Sequence, residues 1–123
     1  MKAGVRFHIR DRRSETELAI GPGKIALLEA IARTGSITSA AKQLGMSYRR
    51  AWLLVDATNR CLVRPAVATV AGGDKGGGTV LTPLGIELVR RYRALERETE
   101  TAVSRKFKSM LRTLPAGDRD TPS

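Results

Sequence analysis

Apolar residues recur along this chain with two different periods, and the changes of period divide it into elements. Val5, Phe7 and Ile9 alternate with Arg6, His8 and Arg10, which predicts a short strand with its apolar residues on one face. A second short strand is expected at Glu17 to Ile20, within the connection that runs from Asp11 to Gly21. From Lys24 the period becomes helical. Ile25, Leu28 and Ile31 or Ala32 fall three or four residues apart, predicting a helix over 24–34 that Gly35 ends. Ser36 and Ser47 then stand where caps are needed for two more helices, over 37–44 and 48–61.

The junction between those last two helices holds the densest pattern. Ala40 and Ala41 put small side chains on the inner face of the first, where a crossing helix can approach closely, and Leu44 follows on that face. Gly45 can adopt a left-handed conformation and stop the helix, with Met46 as an apolar plug in the turn. The inner face of the next helix reads Ala51, Leu54, Val55 and Thr58. Trp52 can pack inward beside that stripe or lie against the sugar-phosphate backbone; inward packing is the expectation, because a lone tryptophan in a small domain contributes most by burial. The opening Ser47, Tyr48, Arg49 and Arg50 form a polar, basic edge. Two short helices meeting at a glycine turn, the second opening on such an edge, form a helix-turn-helix, in which those residues meet base edges in the major groove of DNA.

Pro65 closes the helical region. Ala66–Val70 and Thr79–Leu81 are strand candidates, separated by a glycine-rich loop, 71–78, with Lys75 near its tip. Two strands behind a helix-turn-helix read as a wing, in which Gly73, Lys75, Gly76 and Gly77 are candidate contacts to DNA phosphates or the minor groove. A nucleotide-binding loop is excluded: no G-x-x-x-x-G-K-[ST] is present, and the glycines lead into a strand rather than a helix. Thr82-Pro83 then supplies a cap and a first-turn proline for a last helix over 84–111, about 28 residues and roughly 40 Å long. Leu88, Tyr92, Leu95, Val103, Phe107 and Met110 lie along one stripe of it. That stripe is too long for three short helices and a wing to cover, so a second copy of the chain is the expected partner. The fold class is therefore mainly α with a small β wing. A winged helix-turn-helix occupies 1–82, a long dimerisation helix 83–112, and a polar tail expected to be disordered 113–123.

Charge strengthens this reading. The 123 residues carry 22 Lys and Arg against 12 Asp and Glu, a formal charge of +10 that calls for a polyanionic partner. Between Ser36 and Arg64 a single acid, Asp56, faces Lys42, Arg49, Arg50, Arg60 and Arg64. One histidine and one cysteine, Cys61, leave no ligand set for a metal and no internal disulfide, and Cys61 reads as a small buried apolar residue. No Ser, His and Asp set can be gathered around a pocket, so no enzyme is expected and no cofactor is implied. No apolar run reaches the roughly 18 residues of a membrane span, and no signal-peptide core is present, so no membrane partner and a cytoplasmic setting are expected. An architectural, weakly specific DNA binder or a protein-interaction adaptor stands as the alternative.

The runs TGSITSAAKQLGMSYRRAW, 34–52, and GGDKGGGTVLTPLGIELVRRY, 72–92, resemble the N-terminal DNA-binding domain of ModE-type molybdate-responsive transcription regulators, relatives of the LysR-type winged helices. The resemblance covers roughly residues 5–112. It implies a homodimer on a palindromic site in double-stranded DNA, regulating molybdenum-related genes, with Ser47, Tyr48, Arg49 and Arg50 as recognition residues and Lys75 with its glycines as wing contacts. Arg50 departs from the small residue common at its position, which adds a base or phosphate contact or alters specificity. The family's molybdate-binding domains have no counterpart in residues 1–123, so no molybdate site is expected within them. The initiator methionine and polar tail point to a complete short chain.

Overall fold

A computed structural model describes residues 4–10, 19–73 and 76–114. The expectations placed on residues 11–18, on Lys75 and on 115–123 fall outside these. The elements run β1 (Ile9–Arg10), β2 (Ala19–Ile20), α1 (Pro22–Thr34), α2 (Ile37–Gln43), α3 (Tyr48–Cys61), β3 (Val67–Gly73), β4 (Gly76–Leu81) and α4 (Pro83–Thr113). This is a winged helix-turn-helix: three helices, a two-stranded antiparallel wing and a long last helix.

Helix α1 is the centre of the core, touching α2, α3, β4 and α4. Its role explains a wider buried face than the three- or four-residue spacing alone suggests. Ile25, Leu28 and Ile31 are buried as their spacing predicts, and Leu27 and Ala30 are buried too, whereas Ala32 is exposed. Ala40, Ala41, Ala51 and Val55 close the core from α2 and α3. Leu54 and Met46 pack against its edge, as does Cys61, which is half-buried rather than enclosed.

The local stops and starts behave as capping chemistry requires. Gly35 and Gly45 both take left-handed conformations, with φ of 71° and 66°. Ser36, Ser47 and Thr82 each accept a hydrogen bond from the backbone N–H three residues on, those of Ser39, Arg50 and Gly85.

The wing is longer than the strand candidates. Pairing extends from Val67↔Leu81 through Val70↔Gly78 and resumes at Gly73↔Gly76, so most of the glycine-rich stretch is ladder rather than open loop. A two-stranded ribbon satisfies its backbone by pairing whatever its side chains, and glycine does not forbid this. The register shift between Val70 and Gly73 is a bulge in which Ala71 and Gly72 oppose Gly77. At the N-terminus the ladder among the described residues is shorter than the alternation predicts, limited to Ile9↔Ile20 and Arg10↔Ala19.

Helix α4 begins against the core and then leaves it. Gly85 lies so close to the chain at Ala66 that a Cβ there would fall 2.2 Å from the Ala66 carbonyl oxygen. Tyr92 is 1% exposed; its ring stacks on Phe7 with centroids 4.9 Å apart, and its hydroxyl donates to the Phe7 carbonyl at 2.8 Å. Burial raises the Tyr92 phenol above its ordinary pKa, with nearby Glu96 adding to the shift. Arg93 grips Glu29 of α1 with both Nε and Nη2, at 3.2 and 2.6 Å, and Glu96 with Nη1 at 2.8 Å. The hydrogen bonds to Glu29 are the main reason its guanidinium is held more firmly protonated than usual.

Candidate nucleic-acid interface

The second helix of the motif, α3, presents its first turn to solvent. Ser47 Oγ accepts the Arg50 N–H at 3.1 Å, so the helix starts abruptly at Tyr48. The preceding turn is held by the Met46 N–H donating to the Ala41 carbonyl at 3.0 Å. Ala51, Val55 and Thr58 face the core, and Ser47, Tyr48, Arg49 and Arg50 are all exposed. The four residues expected at the reading edge are therefore together on one accessible turn.

The charge of that turn is informative. No acidic residue lies in the first turn of α3, where carboxylates would favour the helix dipole, and two arginines stand there instead. A cation in this place forgoes roughly 0.3–1 kcal/mol of dipole stabilisation. The nearest acid along α3, Asp56, is two turns away and pairs with Arg60 at 3.1 Å. Nothing on α3 neutralises Arg49 and Arg50, which suits a surface that meets an anion.

Trp52 corrects the expectation of inward packing. It is 47% exposed, one turn beyond Tyr48, itself 54% exposed. Ala51 and Val55 already occupy the inner face, and close packing against α1 and α2 leaves no room for an indole there. The i, i+4 relation to exposed Tyr48 was the sequence signal for this placement. The two rings border an open groove of about 360 Å³ between α3 and the wing, floored by the α1–α2 corner at Gly35 to Thr38.

Both sides of that groove are anchored. Thr79 N–H donates to the Gly35 carbonyl at 2.9 Å, and a Cβ at Gly78 would lie 3.3 Å from the same oxygen, so β4 rests directly on the corner. At the far end of α3, Asn59 Oδ1 accepts the N–H groups of Ala66 and Val67 at 2.8 and 3.1 Å, and its Nδ2 donates to the Val67 carbonyl at 3.1 Å. The wing is thus set at a fixed distance from the reading edge, a role for Asn59 that composition alone did not reveal. Gly73, Gly76 and Gly77 lie at the tip of the ribbon; Lys75 falls outside the described residues.

The apolar stripe of α4 divides in two. Leu88 packs on the chain's own core and Tyr92 is consumed by Phe7, so these two face inward rather than toward a partner. Leu95, Val103, Phe107 and Met110 are exposed, and no residue of α4 beyond Tyr92 is fully buried. Val103, Phe107 and Met110, with Ala102 and the stem of Lys106, line a shallow apolar depression of about 210 Å³. Among the described residues no cluster of His, Cys, Asp or Glu could hold a metal ion, and no helix is long and apolar enough to cross a membrane.

No protein-family model matches the chain. Individual proteins do. It is 45% identical over 100 residues to the molybdenum transport protein ModE of Azotobacter vinelandii, covering 81% of this chain and 37% of that protein. It is 44% identical over 95 residues to the molybdenum-pterin-binding protein MopB of Rhodobacter capsulatus, covering 77% and 35%. The DNA-binding transcriptional dual regulator ModE of Escherichia coli K12 is 36% identical over 88 residues, covering 72% and 34%. The chain spans about a third of the length of the curated relatives it matches.

Proposed function

We infer, for a chain homologous over most of its length to the ModE and Mop proteins and folded as a winged helix-turn-helix, that it binds duplex DNA and regulates transcription. The observation that carries this reading is the capped first turn of α3, with Tyr48, Arg49 and Arg50 exposed beside an anchored wing. Arg49 and Arg50 have the forked donors that pair with guanine O6 and N7, a contact that discriminates among bases by about 1–3 kcal/mol. Gly73, Lys75, Gly76 and Gly77 supply backbone amides and one cation to phosphates. The DNA-binding unit is a homodimer joined through Leu95, Val103, Phe107 and Met110, and its operator is an inverted repeat. The names of its relatives make genes of molybdenum transport or use the natural targets.

Selection from random duplexes is the test. An enriched inverted repeat supports the reading, and no enrichment at moderate salt supports the architectural alternative. Arg49→Ala is expected to flatten discrimination by about 10- to 100-fold at one position of each half-site, while Lys75→Ala weakens all duplexes alike and lowers the salt slope by about one. Equal loss on selected and random DNA for Arg49→Ala would sink its assignment to a base. Repeating the measurement with and without molybdate tests whether the ion acts through this chain.

A further inference from the structure

Resting on the reading of α3 as the DNA-reading helix, we propose that Trp52 is a backbone-gripping residue: its indole packs on a deoxyribose of the strand that passes between α3 and the wing.

The placement rests on four observations. Trp52 is the chain's one tryptophan, yet nearly half its surface is open. It lines a groove together with Thr69 and Val70 of β3, so its ring borders the space between α3 and the wing. Among the described residues that groove is lined by no carboxylate; hydroxyls of Ser36, Thr38, Tyr48, Thr69 and Thr79 are interleaved with apolar surface. Among the described residues, finally, no acceptor is found for the indole Nε1–H.

The occupant follows from this chemistry. A sugar-phosphate unit has an apolar CH face and an anionic, acceptor-rich edge, which match an aromatic ring beside hydroxyl donors in a chain of charge +10. A base edge is the poorer match. Base edges meet the first residues of such a helix, and Trp52 lies a full turn further on. The Tyr48 ring, one turn earlier, continues the same surface toward the bases. Trp52 therefore adds affinity without sequence information, and Tyr48 with the arginines adds the discrimination.

A solitary tryptophan makes the test direct. Binding of a fluorescein-labelled duplex carrying the selected repeat is followed by anisotropy, and Trp52 accessibility by acrylamide quenching of its emission. At saturating duplex the quenching constant is expected to fall at least twofold. Trp52→Ala is expected to weaken the selected and a random duplex alike, by about tenfold, the order of one lost aromatic stack. Trp52→Phe keeps a ring and should remain within about threefold of the parent, which a merely space-filling role at an exposed site would not require. Melting curves of both variants verify that they fold.

The outcomes separate the two readings. Duplex binding with unchanged quenching, or a folded Trp52→Ala variant of parental affinity, overturns the role of Trp52 and leaves DNA binding standing. Loss confined to the selected repeat shows that Trp52 reads a base and overturns the backbone assignment. No duplex binding by the parent protein overturns both.

Discussion

Replacing Gly85 by alanine should lower stability, although the same change in an ordinary helix raises it. Alanine is about 0.8–1.0 kcal/mol better than glycine in a helix interior, and somewhat less in a first turn. At this position the new Cβ would lie 2.2 Å from the Ala66 carbonyl oxygen, 3.0 Å from its carbon and 3.2 Å from its Cα. All three are backbone atoms, so no rotamer change relieves the contact, and the chain at Ala66 must retreat by more than about 1 Å to reach van der Waals distance. It is tethered against that retreat: the Thr82 N–H donates to the Ala66 carbonyl at 2.9 Å, and Thr82 Oγ1 to the Pro65 carbonyl at 2.7 Å. Overpacking costs about 1–3 kcal/mol and a lost hydrogen bond about 1 more. Against a helix gain below about 1 kcal/mol, the net loss is about 1–3 kcal/mol. Urea unfolding at one protein concentration measures it; with a slope of about 1–3 kcal/mol per molar, the midpoint should drop by roughly 1 M. Gly23→Ala is the control. That residue is exposed in the first turn of α1 with nothing within 4 Å of the added atom, so its change should be neutral or stabilising by up to about 1 kcal/mol. A Gly85→Ala protein as stable as the parent would refute the close approach of α4 to the root of the wing.

Asn59→Ala removes three hydrogen bonds and strands the N–H groups of buried Ala66 and Val67, for a loss of about 2–4 kcal/mol in urea unfolding; a loss under about 0.5 kcal/mol would show that Asn59 does not anchor the wing. Tyr92→Phe keeps the stack on Phe7 and removes only the hydroxyl contact, so it should cost about 1 kcal/mol and speed amide exchange near Phe7, and unchanged exchange there would count against the contact. Phe107→Glu places a charge in the exposed apolar depression of α4. If two copies meet there, light scattering will record a shift from dimer toward monomer with little change in the far-UV spectrum. A variant that stays fully dimeric would move the interface elsewhere.

Much of this fold is legible in short stretches of sequence, because the chemistry that starts and stops a helix acts within about four residues. Ser36, Ser47 and Thr82 reveal the starts, Gly35 and Gly45 the stops, and each cap forms as its neighbours predict. The inner stripe of α3 and the basic first turn opposite it are likewise a local pattern, and that pattern alone delimits the candidate interface. Ala51 and Val55 filled the inward face of α3 and left Trp52 beside the groove. Phe7, 85 residues away in sequence, captured Tyr92 and drew one end of the expected interchain stripe into the chain's own core. Ala66 left no room for a Cβ at Gly85, and Asn59 joined the reading helix to the wing. The sequence by itself determined where the helices are capped and stopped and which turn is charged, since those depend on neighbours along the chain. Only the tertiary structure decided what each ambiguous side chain faces, since that depends on which distant surface reaches it first.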